Sequence, residues 1–264
     1  MILDKIKDRI GNYDGSIGIC YIDLGTGESC SAGNCDVFPA SGLVKLLILI
    51  EAFKRMEEGT LKKTDKYILT EADYPNTSEK SYGALEFLHV GTELTIEDLY
   101  KLNVTVSDNM AFNVLLKMFT MEEVNRTMEK YGCRKTRIHR ALLDDEETAR
   151  GVKNYVSVQE IANLFFRMQK GQLVSGRASR EMLEILRHHQ KTSILPYYFS
   201  EYMEIAHQSG YDEREIMDMG IVYSEHPFIL CMASSADHTR NAESIMRDIT
   251  LMCYENSLTI NRKK

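Results

Sequence analysis

The sequence predicts an α+β fold, an α/β sandwich with one five-stranded antiparallel sheet plus an all-α lobe. Three observations predict it. Apolar residues alternate with a period of two near the N-terminus and again after residue 200, as half-buried strands require. From about residue 60 to 200 the spacing is helical instead. One helix, entered near residue 43, is apolar on most sides, which marks a buried centre. The simplest compact arrangement joins strands from both termini in one sheet, covers it with the terminal helices and inserts the helical block. The expected lobes are 1–59 with 201–264, carrying the sheet, and 60–200, all helical, in one intertwined unit.

In chain order, Ile2, Leu3, Ile6 and Ile10 predict an amphipathic helix over 2–11. SIGICYIDL alternates faces as a strand, Gly25-Thr26-Gly27 turns, and a second strand runs through Ser29–Ala32. FPASGLVKLLILIEAFKRMEEG is the buried helix; only Lys45 and Glu51 interrupt it between Leu43 and Phe53, and it ends before Gly59. A lysine in such a helix is unusual, because a buried ammonium needs a partner or a role. Thr95-Ile96-Glu97-Asp98 opens a helix. Thr120 with Glu123, and Ser157 with Glu160, are capping boxes for helices that end at Gly132 and Gly171. A further helix is expected over 178–189. Three consecutive strands follow at 203–209, 215–223 and 227–235. The last helix, 241–254, places Ala242, Ile245, Met246, Ile249, Met252 and Cys253 on one face.

Composition excludes several classes. The chain is 44% hydrophobic and 27% charged with 16 Gly and 4 Pro, so it is neither fibrous nor disordered. Its 32 Lys and Arg against 39 Asp and Glu give a net charge of -7, which argues against nucleic acid as a partner. No run of 18 apolar residues predicts a membrane span. The start, MILDKIKDRI, lacks the basic flank and apolar run of an export signal. A cytoplasmic protein is expected as the sequence stands, and an exported one if a signal was trimmed. The six cysteines form no CxxC pair and read as buried free thiols rather than a disulfide or metal framework. His188, His189 and His207 have no metal-ligand spacing and read as surface or strand residues. No metal or cofactor is implied. Asp144–Glu147 reads as a solvated loop, and the 14 Met as core filler.

Three short segments could carry chemistry together. They are Ala40-Ser41-Gly42-Leu43-Val44-Lys45 at the start of the buried helix, Val106-Ser107-Asp108-Asn109 between two helical runs, and Ala206-His207-Gln208-Ser209-Gly210 on a late strand. Their order and separation resemble the penicillin-recognising serine hydrolases, in particular the class A β-lactamases, whose set is S-x-x-K, S-D-N and K-T-G. The flanks extend the resemblance over nearly the whole chain, as does ALLDDEETARGVKNYVS, which resembles the family's loop below the active site. The resemblance implies the serine β-lactamase or penicillin-binding-protein type of fold and a small-molecule ligand, a β-lactam or a peptide-like acyl compound. It gives no oligomeric state.

It also implies roles. In the family a serine at the helix N-terminus attacks an amide or lactam carbonyl, and a lysine one turn later helps take its proton. Here that lysine is Lys45. The backbone N–H groups of Gly42 and Tyr211 would form the oxyanion hole. Ser107 and Asn109 would hold the lysine and the substrate amide. Gln208, Ser209 and Gly210 would bind the substrate carboxylate end.

Three positions depart from the pattern. The flanks FPA and LVKL place Gly42, without a side chain, at the nucleophile position. Gln208 stands at the third-motif lysine and lacks its charge. In the lower loop Leu142 or Leu143 falls where the family has its deacylating glutamate. Ser41 is an alternative nucleophile, i,i+4 from Lys45, but one residue turns a helical side chain by about 100°. A helix-capping role for Ser41 is the other reading. Two functions follow: a family member with little or no hydrolysis that keeps a ligand pocket, or a serine hydrolase that uses Ser41 with Lys45 and Ser107.

Overall fold

A computed structural model describes residues 1–77, 81–200 and 202–259. In chain order its elements are α1 (Ile2–Ile10), β1 (Ser16–Asp23), β2 (Ser29–Gly33), β3 (Val37–Pro39), a 3-10 turn (Ser41–Val44), α2 (Lys45–Glu57), β4 (Lys66–Ile68), β5 (Glu93–Thr95), α3 (Ile96–Thr105), α4 (Asn109–Phe119), α5 (Met121–Lys130), α6 (Asp145–Ala149), β6 (Tyr155–Ser157), α7 (Val158–Gln169), α8 (Gly176–Arg187), β7 (Ile205–Tyr211), β8 (Glu215–Val222), β9 (Phe228–Ser235) and α9 (Thr239–Thr259). The α+β class is as the sequence predicts. Five antiparallel strands form the main sheet in the order β2-β1-β9-β8-β7. The first and last strands of the chain meet in its middle, where β1 pairs with β9 from Ser16↔Ser235 to Asp23↔Phe228.

The sheet separates two apolar cores. One face carries Ile17, Ile19, Ile216, Phe228 and Leu230, which pack on Ile6 of α1 and on Ala242, Ile245, Met246, Ile249 and Cys253 of α9. The other carries Cys20, Ala206, Met217, Met219 and Cys231 and faces the larger helical core around α2. Leu43 through Ala52 are buried without a break, as the apolar run requires. Its two charges are satisfied locally. Glu51 accepts from Thr127 Oγ1 at 2.5 Å and Arg55 Nε at 2.8 Å, and Lys45 is described below.

The helix starts form where read, but the boxes expected at Thr120 and Ser157 make only the N-cap bond, the Glu160 carboxylate turning instead to the Arg134, Lys135 and Thr136 amides. Thr95 Oγ1 accepts from Asp98 N while Asp98 Oδ2 accepts from Thr95 N, and Ser157 Oγ accepts from Glu160 N. Several bounds differ from expectation. β7 begins and ends two residues later than 203–209, because the strand continues into a tight turn where Asp212 N–H bonds Glu215 O. α8 begins at Gly176, capped by Ser175, two residues earlier than expected. α9 runs longer than 241–254, and Met252 lies at the edge of its buried stripe, half-buried. The acidic run is a short helix, α6, whose N-cap Asp144 accepts from Glu147 N. Two small sheets, β3 with β6 and β4 with β5, have strands of three residues, too short for alternation to show. The lobe boundary expected at 200/201 abuts residue 201, outside the described residues. No helix among the described residues is long and apolar enough to cross a membrane.

Candidate active site

The turn before α2 and the loop before α4 meet over one cleft of about 330 Å³. Ser41, Gly42, Lys45, Ser107, Asn109 and Tyr211 line it. Lys45 opens α2 and is 1% exposed. Its Nζ donates to Asn109 Oδ1 at 2.7 Å, and its carbonyl accepts from Asn103 Nδ2 at 2.9 Å. Burial, helped by the nearby Lys191, lowers the Lys45 pKa from 10.5 to about 7. A base poised there can take a proton at neutral pH.

The second motif both caps and positions. Asp108 is the N-cap of α4, its Oδ1 accepting from Ala111 N at 2.9 Å. Its Oδ2 accepts from Ala84 N and Leu85 N at 2.6 and 2.8 Å. Gly83 fits this contact because a Cβ there would overlap the Asp108 carboxylate, and its φ is 131°. The next residue, Asn109, bonds Tyr82 O through its N–H and points its amide oxygen at Lys45. Five non-glycine residues among those described have positive φ, and three of them, Ser41, Ser107 and Leu143, line the cleft. Backbone strain gathers where a fold holds a site in place.

Gly42 sits at the centre. A Cβ on it would lie 3.3 Å from Ser107 Oγ and 3.1 Å from Ser209 O. Position 42 therefore faces the second motif, and it carries no side chain. Ser41 has φ 43° and is half-buried. The expectation that it caps the helix is corrected: neither the 3-10 turn nor α2 has a side-chain cap bond, because Ser41 lies inside the turn rather than before it. Among the described residues its hydroxyl is bonded neither to Lys45 nor to any other group.

β7 is the free edge of the main sheet and packs against the 41–44 turn. Asp212 N–H turns inward to β8, so by antiparallel alternation the N–H and C=O of Tyr211 point outward, toward that turn. Gly210 allows the approach, since a Cβ there would lie 3.2 Å from Gly42 N and 2.9 Å from Met217. Apart from Tyr211, the third-motif residues of this strand do not reach the cleft as expected. Gln208, Ser209 and Gly210 stand behind its wall and do not line it. Gln208 is fully buried; its Nε2 lies 3.3 Å from Ser209 O and its Oε1 has no partner. Ser209 points to the other face of the sheet, where its hydroxyl meets His189 Nε2 at 2.8 Å. His189 Nδ1 is 2.7 Å from Val104 O, which can only accept, so Nδ1 carries the hydrogen and Ser209 donates to Nε2. Burial and the adjacent His207 lower the His189 pKa from 6.5 to about 3, so the ring is neutral. His207 stacks edge-on against it at 4.8 Å and bonds Asp218 Oδ1 at 2.7 Å. His189 is thus a buried anchor of β7, not the surface or strand residue expected.

The lower loop closes the cleft with Arg140, Leu142 and Leu143. Asn113 of α4 pins it, accepting from Leu142 N at 2.9 Å and donating to Leu142 O at 2.7 Å. Asn154 Oδ1 holds the His139 and Arg140 amides, and its carbonyl accepts from Ala40 N. No carboxylate from residues 140–150 lines the cleft; its acids, Asp212, Glu213 and Glu215, come from the β7–β8 turn. Sequence reading missed Asn113, Tyr82, Arg140 and Lys191. An i,i+4 offset of Asn109 and Asn113 was a signal for the first; the others lie in irregular segments with no periodic mark.

Residues 2–257 match the model of the Beta-lactamase enzyme family. Among solved structures, PBP-A is 22% identical, with 97% of this chain and 95% of that chain covered at a TM-score of 0.85. A β-lactamase from Sphaerobacter thermophilus is 22% identical over 97% and 96%, at 0.85. A β-lactamase from Chitinophaga pinensis is 17% identical over 97% and 99%, at 0.88. At these identities the structural likeness speaks for the fold alone.

Proposed function

Because the chain belongs to the β-lactamase enzyme family, we propose that it is a member that binds a β-lactam or peptide-like acyl ligand without forming an acyl-enzyme. One observation carries the reading. Gly42 stands in the nucleophile position, facing Ser107 Oγ and one turn before Lys45, and offers no hydroxyl. Two more support it: no carboxylate from the lower loop reaches the cleft, and the third-motif position holds the neutral Gln208. In this reading the Gly42 and Tyr211 N–H groups hold the ligand carbonyl. Asn109 holds its amide and keeps Lys45 in place, and Ser107 faces the emptied position.

One observation favours a second reading. Ser41 lines the cleft with a hydroxyl that no other described residue engages. As a nucleophile it would pass its proton to Lys45 and form an ester with the ligand carbonyl, the lactam C–N bond breaking and the proton returning to that nitrogen. Benzylpenicillin and a chromogenic cephalosporin separate the two. We expect saturable binding, no turnover and an unchanged intact mass. A covalent adduct mapping to Ser41 establishes the second reading instead.

A further inference from the structure

Lys191 enters the cleft from the segment between α8 and β7. Its ammonium lies 4.2 Å from the Tyr82 ring centroid and 5.6 Å from that of Tyr211. The two rings belong to different walls, so the charge is held between them. Among the described residues it forms no ion pair. A half-buried cation without a counter-ion lacks the partner that would offset its lost hydration. Of the other cations of the cleft, Lys45 is held by Asn109, Arg214 by Asp237 and Arg140 by the Val152 and Ala141 carbonyls, while Lys153 is exposed and keeps its hydration.

The neutral Gln208 fits the same picture. Its amide lies 3.3 Å from Ser209 O, and that oxygen lies 3.1 Å from where a Gly42 side chain would start. A cation at 208 would therefore share one poorly hydrated corner with Lys45 and Lys191. Like charges at such separations repel strongly in a low dielectric. Two lysines already stand there, and position 208 is neutral.

We infer that Lys191 is the anion anchor of this cleft and holds the carboxylate of the bound ligand, a charge that the neutral, buried Gln208 does not supply. The inference rests on the ligand-binding reading above and names the charge that reading left open. A monoanion fits better than a phosphate dianion, because Glu213 and Glu215 line the same cleft.

Calorimetry with benzylpenicillin and its uncharged methyl ester tests this. The parent protein should prefer the acid about tenfold or more, the usual worth of a charge-assisted hydrogen bond. Lys191→Met keeps the apolar stem between the rings and should abolish the preference while ester affinity stays. Loss of acid and ester binding alike, or no change in preference, overturns the inference and leaves the binding reading standing. If neither compound binds the parent protein, that reading fails for this ligand, and a ligand-free measurement decides the inference. Gln208→Lys should lower Tm by about 2–4 °C in the parent background and by less beside Lys191→Met, as charges sharing one corner must. Strictly additive Tm shifts overturn it.

Discussion

Lys45 shows what a single buried amine does to this site. Its pKa falls from 10.5 to about 7 through burial first and Lys191 second, while Asp108 opposes the shift. Such a shift disfavours the charged form by on the order of 5 kcal/mol, at about 1.4 kcal/mol per unit. Below pH 7 both folded and unfolded chains carry the proton, and the folded state bears the whole cost. Between about 7 and 10.5 the unfolded chain binds more protons than the folded one, so stability rises with pH. Lys45→Met removes the titration but strands Asn109 Oδ1, a loss of about 1–3 kcal/mol. The variant should therefore be more stable than the parent at pH 6, and the advantage should shrink and reverse by pH 10. Urea unfolding at the two pH values measures it. A difference that does not vary with pH would show that the amine keeps its ordinary proton affinity. A cost carried by every folded molecule fits a residue retained for the cleft rather than for the fold.

At the scale of elements, the site depends on how three pieces meet: the 3-10 turn, the edge strand β7 and the lower loop. Gly42→Ser tests the meeting directly. Its Cβ would sit 3.1 Å from Ser209 O and 3.3 Å from Ser107 Oγ, so neighbours must give by a few tenths of an ångström. The added hydroxyl would stand one turn before Lys45. We expect this variant to form a covalent adduct with benzylpenicillin that intact mass detects, yet to release it slowly, because the lower loop brings no carboxylate to activate water. Adding Leu142→Glu, on backbone that Asn113 fixes at both its N–H and C=O, should raise turnover by about 10²–10⁴. Efficient turnover by Gly42→Ser alone would show that the loop and Gln208 matter less than the geometry implies. Elements with a local code were legible in the sequence: the helix starts at Thr95 and Ser157, the alternation of β8 and β9, and the apolar run of α2. The register of Gly42 against Lys45 was legible for the same reason, being set within one helical turn. The direction of Ser209 was not. Facing His189 rather than the cleft is decided by which side of the sheet the strand presents, and that is a tertiary fact. Lys191 was invisible because it lies in irregular backbone and its two rings come from distant segments of the chain.

The chain as a whole is bound together by the pairing of its ends. β1 and β9 pair along eight residues at the centre of the sheet, so the sheet cannot close until both termini are in place. α2 then packs sheet residues such as Ala206, Met217 and Cys231 into the same core as Leu99, Phe112 and Phe165 of the helical segment. A core shared this way leaves neither part a complete apolar interior of its own, and a cooperative transition follows. The sequence contains no Trp, so one introduced Trp reports one place. Tyr67→Trp on β4 and Tyr254→Trp on α9 are both half-buried positions that tolerate a ring of similar shape. Their urea midpoints should coincide with each other and with the loss of helical circular dichroism. Two separated midpoints would show that the helical segment and the sheet unfold independently. The cleft, which takes Lys45, Ser107 and Tyr211 from both sides, would then be lost at the lower of the two midpoints. With one midpoint, ligand affinity should persist up to global unfolding, because no partial opening separates its walls.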